Sequence, residues 1–300
     1  MRAAGLAAIL TLALAAASAG PHGEQPLVAI VTSSHVAPFD EAVEGMRSGL
    51  GSGIRLTTVS ASESDVAGQL NGKDVRLIVA VGNNALDAAA RLAGTPVIAT
   101  MLLRQDLASF AGRAPVGAVV LDVSMGDVLA GLARVFPGKT RVGMVRGMDA
   151  GDPSDAALVA QARAAGILLT VVDCPRPERL LASFLALKER VDLVWCPPDG
   201  TLYNGTTVKP LILASLENQL PVAGFSVNFV RAGAAAGIYP DYRELGVQTG
   251  ELARRFLAGG DVSVEGPRRT RVALNQRVAR LLGLRGMEKN SAASGIVVIE

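Results

Sequence analysis

The sequence predicts an α/β protein built around parallel sheets. Short apolar runs such as Leu27–Thr32 recur along the chain, and each one ends in a polar, Gly-containing or Pro-containing loop. Between these runs lie segments with apolar residues at helical spacing, for example Phe39, Val43, Met46 and Leu50. Strands that alternate with helices in this way are typical of βαβ units. With 300 residues, half of them hydrophobic, the chain is long enough for two domains.

The expected elements follow one another as repeated β–α units. Strands are expected at 27–32, 54–59, 75–81, 95–103, 116–121, 141–146, 167–173, 192–196, 220–222 and 237–240. Helical stripes lie at 39–50, 66–70, 85–93, 125–136, 180–187, 208–216 and 245–257. Right-handed crossovers place the connecting helices on both faces of a sheet, so each sheet is expected to be doubly wound.

Composition and charge argue against a nucleic-acid partner. The formal net charge is only +2, and the one dense basic run is Arg268-Arg269-Thr270-Arg271, which is expected to be a solvated strand edge. Aromatic residues make up 4% of the chain, too few for a base-stacking platform.

The N-terminus has the pattern of a secretory signal peptide at residues 1–19. Arg2 supplies the positive start, residues 6–16 are apolar but too short to span a bilayer, and Ala17-Ser18-Ala19 fits a cleavage site. An uncleaved membrane anchor is the alternative. Because no cysteine lies near this site, a lipid anchor through an N-terminal cysteine is not expected, and the mature chain is expected in the periplasm.

The two cysteines, Cys174 and Cys196, are expected to be free and mostly buried. Export makes a disulfide chemically possible. However, each cysteine ends a strand, and in a sheet ordered 2-1-3 one strand would separate them by about 10 Å. That separation exceeds the Cα reach of a disulfide.

Loops that leave the carboxyl ends of parallel strands form the ligand sites of such folds. The candidates in the second half of the chain are Asp199, Gly200, Thr201, Ser226 and Asp241. Phe225, Tyr203 or Tyr242 is expected to supply an apolar middle, and Asp199 or Asp241 a partner for a ligand cation. Asp241 has two interpretations. It can form a capping box with Glu244, or its carboxylate can pair with an ammonium group of the ligand.

In the first half, Asn83 and Asn84 follow a buried strand at the start of a helix. Backbone N–H groups at a helix N-terminus favour an anion such as a carboxylate. The alternative is that one asparagine simply caps the helix.

Several motifs resemble those of one protein family. Residues 198–201 read Pro-Asp-Gly-Thr, residues 230–234 read Val-Arg-Ala-Gly-Ala, and residues 241–250 read Asp-Tyr-Arg-Glu-Leu-Gly-Val-Gln-Thr-Gly. In this order they resemble bacterial ABC-transporter substrate-binding proteins of the group that includes tryptophan- and tyrosine-type receptors. The resemblance extends over residues 27–285.

The resemblance implies the type I periplasmic-binding-protein fold, with two doubly wound parallel-sheet lobes joined by a hinge of about three crossovers. Lobe 1 is expected at 20–122 and 240–262, lobe 2 at 123–239 and 263–285, and a loosely ordered tail at 286–300. The resemblance also places Ser33, Ser34 and His35 in the first ligand loop and favours ligand contact at Asn83-Asn84.

Two loops depart from the family pattern. Residues 147–152 read Gly-Met-Asp-Ala-Gly-Asp where the family usually carries a ligand loop with Asn and Ser, which leaves the substrate preference open. Residues 103–107 replace a common Asp-Pro motif, so the family's contacts are not transferred to them.

Together these features predict an exported solute-binding protein of an ABC importer that closes on a small zwitterion or carboxylate such as an amino acid. The expected partners are the ligand and an inner-membrane ABC permease, and the protein is expected to be a monomer without cofactor or metal. A periplasmic ligand-sensing or interaction subunit that keeps the fold without transport is the alternative. No enzyme is expected, because Gly-x-Ser-x-Gly, Cys-x-x-Cys and P-loop motifs are absent.

Overall fold

A computed structural model describes residues 25–62, 65–92, 94–108, 110, 115–147, 155–284 and 295–300. The signal-peptide prediction at residues 1–19 lies outside this range. Within it, no helix is long and apolar enough to cross a membrane.

The described residues form thirteen strands and eleven α-helices. The strands are β1 (Leu27–Thr32), β2 (Arg55–Ser60), β3 (Val75–Val81), β4 (Val97–Thr100), β5 (Gly117–Val119), β6 (Arg141–Gly147), β7 (Leu168–Cys174), β8 (Leu193–Trp195), β9 (Val222–Gly224), β10 (Ala236–Pro240), β11 (Val264–Glu265), β12 (Thr270–Asn275) and β13 (Ile296–Ile299). The helices are α1 (Ala37–Leu50), α2 (Val66–Leu70), α3 (Asn83–Ala90), α4 (Arg104–Ala108), α5 (Met125–Val135), α6 (Asp155–Ala164), α7 (Leu180–Leu185), α8 (Val208–Glu217), α9 (Val227–Arg231), α10 (Tyr242–Leu257) and α11 (Gln276–Leu281).

The strands form two separate sheets. Lobe 1 contains a parallel sheet in the order β11-β5-β4-β3-β1-β2, and lobe 2 contains a sheet in the order β13-β12-β10-β9-β8-β6-β7. All strand pairs are parallel except β10 with β12. Each sheet has buried apolar clusters on both faces, as expected for a doubly wound sheet.

The chain passes between the two sheets three times. The first crossover follows β5 at residues 120–124, the second joins β10 to α10 at Asp241, and the third joins β11 to β12 at residues 266–269. The prediction of two parallel-sheet lobes joined by three crossovers is therefore confirmed.

The expectation of a loosely ordered C-terminal tail was wrong for its last residues. Ile296–Ile299 form β13, which pairs in parallel with β12 through Val272 and Asn275. Residues 296–299 read Ile-Val-Val-Ile, an apolar run that can extend the edge of a sheet.

The prediction of two free cysteines is confirmed. Cys174 ends β7 and Cys196 follows β8, and β6 lies between these two strands in the sheet. Both cysteines are buried and neither forms a disulfide. Burial raises the pKa of Cys196 to about 12, so its thiol stays protonated at neutral pH.

The second and third crossovers are hydrogen bonded to each other at Asp241. The Asp241 amide donates to the Arg269 carbonyl at 3.0 Å. One carboxylate oxygen of Asp241 accepts from Arg271 Nε at 2.8 Å, and the other accepts from the Glu244 amide at 3.2 Å and so caps α10. These bonds hold the two crossovers and the start of α10 as one unit.

Gln248 on α10 is hydrogen bonded to the third crossover and to the residue before it. Its Nε2 donates to Glu265 Oε2 at 2.9 Å and to the Gly266 carbonyl at 3.0 Å, while its Oε1 accepts from the Arg268 amide at 3.1 Å. Gln248 is 1% exposed, so these three bonds satisfy an amide that would be costly to bury alone.

Helix α10 is held in lobe 1 by direct backbone contact with α1. A methyl group placed at Gly45 would overlap the Arg243 carbonyl, and one at Gly49 would overlap the Val247 carbonyl. A methyl group at Gly246 would likewise overlap the Ala42 carbonyl. The absence of side chains at these glycines lets the two helix backbones touch.

We predict that Gly246→Ala destabilises the protein, because the new methyl group can only be placed by pushing α10 away from α1. Overpacking of this kind costs about 1–3 kcal/mol or more. Urea unfolding measures the change. Gly205→Ala is the matched control, since a methyl group at Gly205 meets nothing within 4 Å. Equal stability of the two variants would contradict the proposed helix contact.

Candidate ligand-binding cleft

A cavity of about 410 Å³ opens where the first crossover meets the carboxyl ends of β6 and β8. Its lining combines residues of α4, the first crossover and lobe 2. They are Leu103, Gln105, Leu121, Asp122, Val123, Ser124, Met125, Val128, Met144, Arg146, Gly147, Leu158, Gln161, Trp195, Pro197, Pro198, Asp199, Phe225 and Ile238. This volume and the mostly apolar lining are typical of a site for a small molecule.

Aromatic side chains provide the apolar wall on the lobe 2 side. Trp195 ends β8 and is 6% exposed, and its indole Nε1 has no hydrogen-bond partner among the described residues. Phe225 follows β9 and packs against Phe229 with ring centroids 5.5 Å apart. Phe225 is therefore held in place by packing beneath the cavity.

Asp199 presents one carboxylate oxygen toward the end of β6. Its Oδ1 accepts from the amides of Thr201 at 2.9 Å and Leu202 at 2.8 Å, the hydrogen-bond pattern of an Asx turn. A methyl group at Gly147 would lie 2.6 Å from Asp199 Oδ2. Glycine at the end of β6 therefore makes room for this carboxylate in the cavity.

Asp122 brings a second carboxylate into the cavity from the first crossover. Its Oδ2 accepts from the Arg104 amide at 2.8 Å, which joins the crossover to the start of α4. Burial raises the pKa of Asp122, and the Arg104 amide and guanidinium only partly offset this rise. The pKa of Asp122 therefore lies above its ordinary value.

Arg146 is the one cationic side chain among the described lining residues, and it is already ion-paired. Its Nε donates to Asp173 Oδ1 on β7 at 3.0 Å, and its guanidinium also pairs with Asp155 at the start of α6. The side chain is 15% exposed. Two carboxylates therefore accompany this guanidinium at the wall of the cavity.

The predicted site residues of lobe 1 lie together at the carboxyl ends of β1 and β3, outside the lining of the cavity. Ser33 Oγ accepts from the Ala85 amide at 2.9 Å, so Ser33 satisfies the first turn of α3. This corrects the expectation that Asn83 or Asn84 caps the helix, since the N-cap position is Gly82.

Asn83 connects this group to the rim of the cavity. Its Nδ2 donates to Asp106 Oδ2 at 3.2 Å, and the same oxygen accepts from the Leu103 amide at 3.1 Å. Asn84 is exposed and Ser34 half-buried, and neither lines the cavity. His35 is exposed too, with its Nδ1 at 3.5 Å from Asp40.

The remaining predicted residues mostly have structural partners. Asp241 caps α10 and pairs with Arg271, and Ser226 caps α9 by accepting from the Phe229 amide at 3.1 Å. Tyr242 is buried and stacks on Tyr239 with centroids 5.7 Å apart, and burial raises its pKa. Gly200 and Thr201 are exposed. Of the twelve predicted residues, Asp199 and Phe225 line the cavity.

Sequence reasoning missed Trp195, Asp122 and Arg146, all of which line the cavity. Ligand contacts were expected in the loops, whereas Trp195 and Arg146 belong to the ends of their strands. Asp122 is the last residue of the first segment expected for lobe 1, residues 20–122. A polar or aromatic side chain in the last two positions of a strand, or within three residues after it, is the signal that could have identified them.

Two parallel-sheet lobes with a cavity at their hinge define a binding protein of the type I periplasmic class. The family model for "ABC transporter substrate binding protein" matches residues 40–297. The chain therefore belongs to the ABC transporter substrate-binding protein family. No curated protein matches it at a significant level.

Solved structures of low sequence identity share the fold. An ABC domain from Streptococcus pneumoniae in complex with L-Trp is 18% identical, with a TM-score of 0.59 over 92% of this chain and 100% of that one. A ligand-free, open substrate binding protein with adhesive properties from Clostridium difficile is 17% identical, with a TM-score of 0.67 over 92% and 99%. A conserved domain protein from Vibrio cholerae is 17% identical, with a TM-score of 0.57 over 92% and 100%.

We predict that Asp122→Asn stabilises the protein more at neutral than at acidic pH. The folded state raises the pKa of Asp122 above its ordinary value of 3.8, so stability falls as pH rises through that range. Asparagine keeps an acceptor for the Arg104 amide and cannot ionise. The difference in Tm between the variant and the wild type is therefore expected to be larger near neutral pH than below the ordinary pKa. A difference independent of pH would contradict the proposed burial of this carboxylate.

Proposed function

We propose that this protein is the exported solute-binding protein of an ABC importer and that it closes its two lobes on a small zwitterion or carboxylate such as an amino acid. The observation that carries the proposal is the cavity of about 410 Å³ beside the first crossover, in a chain of this family. Its lining takes α4 from one lobe and the ends of β6 and β8 from the other. A ligand there would touch both lobes at once.

Closure is proposed to occur by rotation about the three crossovers. The second and third crossovers form one bonded unit with α10, through Asp241 and Gln248. The first crossover is bonded to lobe 1 at two points, by the Val120 amide to the Glu265 carbonyl at 2.9 Å and through Asp122 to the start of α4. Hinges of this type absorb a domain rotation in a few residues at the ends of elements.

Rotation would bring the lobe 1 loops toward the ligand. Ser34, Asn83 and Asn84 stand at the carboxyl ends of β1 and β3 and would then contribute polar contacts opposite Asp199 and Phe225. We assign Asp241 to the hinge, because both oxygens of its carboxylate accept hydrogen bonds within the chain.

Proteins of this family typically work in the periplasm with a membrane permease. We propose the same for this chain, with the leader at residues 1–19 directing export and a monomer delivering ligand to an inner-membrane ABC permease. The role requires binding and release only, so no catalytic group or cofactor is assigned.

Trp195 offers a direct test, because it is the only tryptophan in the chain and lines the cavity. A panel of amino acids, amines and carboxylates is screened for a rise in Tm. A ligand present at about 100 times its Kd stabilises the native state by about 2.7 kcal/mol. We predict that each stabilising ligand also changes the intrinsic fluorescence of Trp195 in a saturable way.

The control is Trp195→Phe, which is expected to lose the fluorescence signal while ligand still raises its Tm. A ligand that stabilises the wild type without altering the fluorescence of Trp195 would place the binding site elsewhere.

A further inference from the structure

We propose that the cleft recognises its ligand by a cationic nitrogen bound by Asp122 and Asp199, with an apolar body against Trp195 and Phe225, which narrows the proposed ligand class to solutes that carry an amino group. This inference rests on the proposed binding function and specifies the ligand class of the same cavity. It also assigns Asp122, a residue of the first crossover, a role in binding.

The charges around the cavity favour a cation. Asp122 and Asp199 line it, and the guanidinium of Arg146 is accompanied by the carboxylates of Asp155 and Asp173. Acidic groups therefore exceed basic ones among the described residues at the wall. In a cleft that closes and excludes water, such an excess attracts a positive group more strongly than it would at an open surface.

Asp122 is a partly buried carboxylate at the wall of the cavity. Burial raises its pKa, and nearby Asp106 acts in the same direction. The amide and guanidinium of Arg104 oppose this rise without cancelling it. A ligand ammonium at this position would oppose the rise further, and its binding would favour the ionised carboxylate.

Asp199, also in the lining of the cavity, is held in one orientation by hydrogen bonds. Its Oδ1 is used by the amides of Thr201 and Leu202, and its Oδ2 lies against Gly147, where no side chain intervenes. Oδ2 can therefore accept a hydrogen bond from a ligand without rearrangement of the Asp199 side chain, which reduces the free-energy cost of binding.

A ligand carboxylate finds less support in the described residues. The charge of Arg146 is offset by Asp155, paired with Nη2, and by Asp173, paired with Nε, and the Ala85 amide in the first turn of α3 is taken by Ser33. The rest of the wall is largely apolar, including Met144, Leu158 and Ile238. Burying an anion against these groups would be unfavourable.

The test uses matched trios of compounds that share one body. The phenyl trio is 2-phenylethylamine, L-phenylalanine and 3-phenylpropionate, and the branched aliphatic trio is isoamylamine, L-leucine and 4-methylpentanoate. Affinities for the full-length protein are measured by calorimetry. In at least one trio, we expect the amine to bind about as tightly as the zwitterion and about tenfold or more tighter than the carboxylate, the size of effect expected for one charged hydrogen bond.

Substitutions connect the preference to the two residues. Asp122→Asn and Asp199→Asn keep the acceptors for their backbone amides, and each is expected to weaken binding of the amine by about tenfold. Asp87→Asn is the matched control, because Asp87 is an exposed residue of α3 paired with Arg91. The affinity of this variant for the amine is expected to equal that of the wild type. Lowering the pH from about 7 to about 4 should weaken amine binding more in the wild type than in Asp122→Asn.

The possible outcomes separate this inference from the function on which it rests. If a carboxylate binds as tightly as its matched amine, or if both Asn variants retain full affinity, the cation preference is overturned while the binding function stands. If no compound of either trio, and no member of the wider panel, binds at all, the binding function itself is overturned together with the inference.

Discussion

The architecture depends on the backbone contact between α1 and α10. Because Gly45 and Gly246 carry no side chains, α10 packs directly on lobe 1 although it begins at the end of a lobe 2 strand. Asp241 and Gln248 then bind the second and third crossovers to this helix. The lobes are thereby held with a cavity between them, and the first crossover, with Asp122 at its centre, is joined to β11 by the hydrogen bond from the Val120 amide to the Glu265 carbonyl.

Most of the fold could be predicted from the sequence, because buried parallel strands are continuous apolar runs that end at polar loops. The separation of Cys174 and Cys196 by one strand also followed from strand order alone. The predicted ends of strands and helices were less accurate than their existence. The strand expected at 95–103 is observed at Val97–Thr100, because Met101 already adopts a left-handed backbone conformation with φ of 59°. Strand β13 was missed because nothing local indicates that a distant apolar run pairs with β12.

The site was predicted less well than the fold, for a physical reason. Sequence shows which loops leave the carboxyl ends of strands, but the direction of each side chain depends on its partners. Ser226 turned inward to cap α9, whereas Asp199 was held toward the cavity by an Asx turn. Asp122 became a cavity residue only because the first crossover runs past the end of β6, a tertiary arrangement that no local pattern encodes.

A crystal structure of the protein saturated with its tightest ligand tests the central claim most directly. The account predicts that the ligand lies in the cavity against Trp195, contacts Asp122 and Asp199, and is covered by the lobe 1 loops after a rotation about the three crossovers. A ligand bound to one lobe alone, or bound in the cavity with neither carboxylate within hydrogen-bond distance, would contradict it.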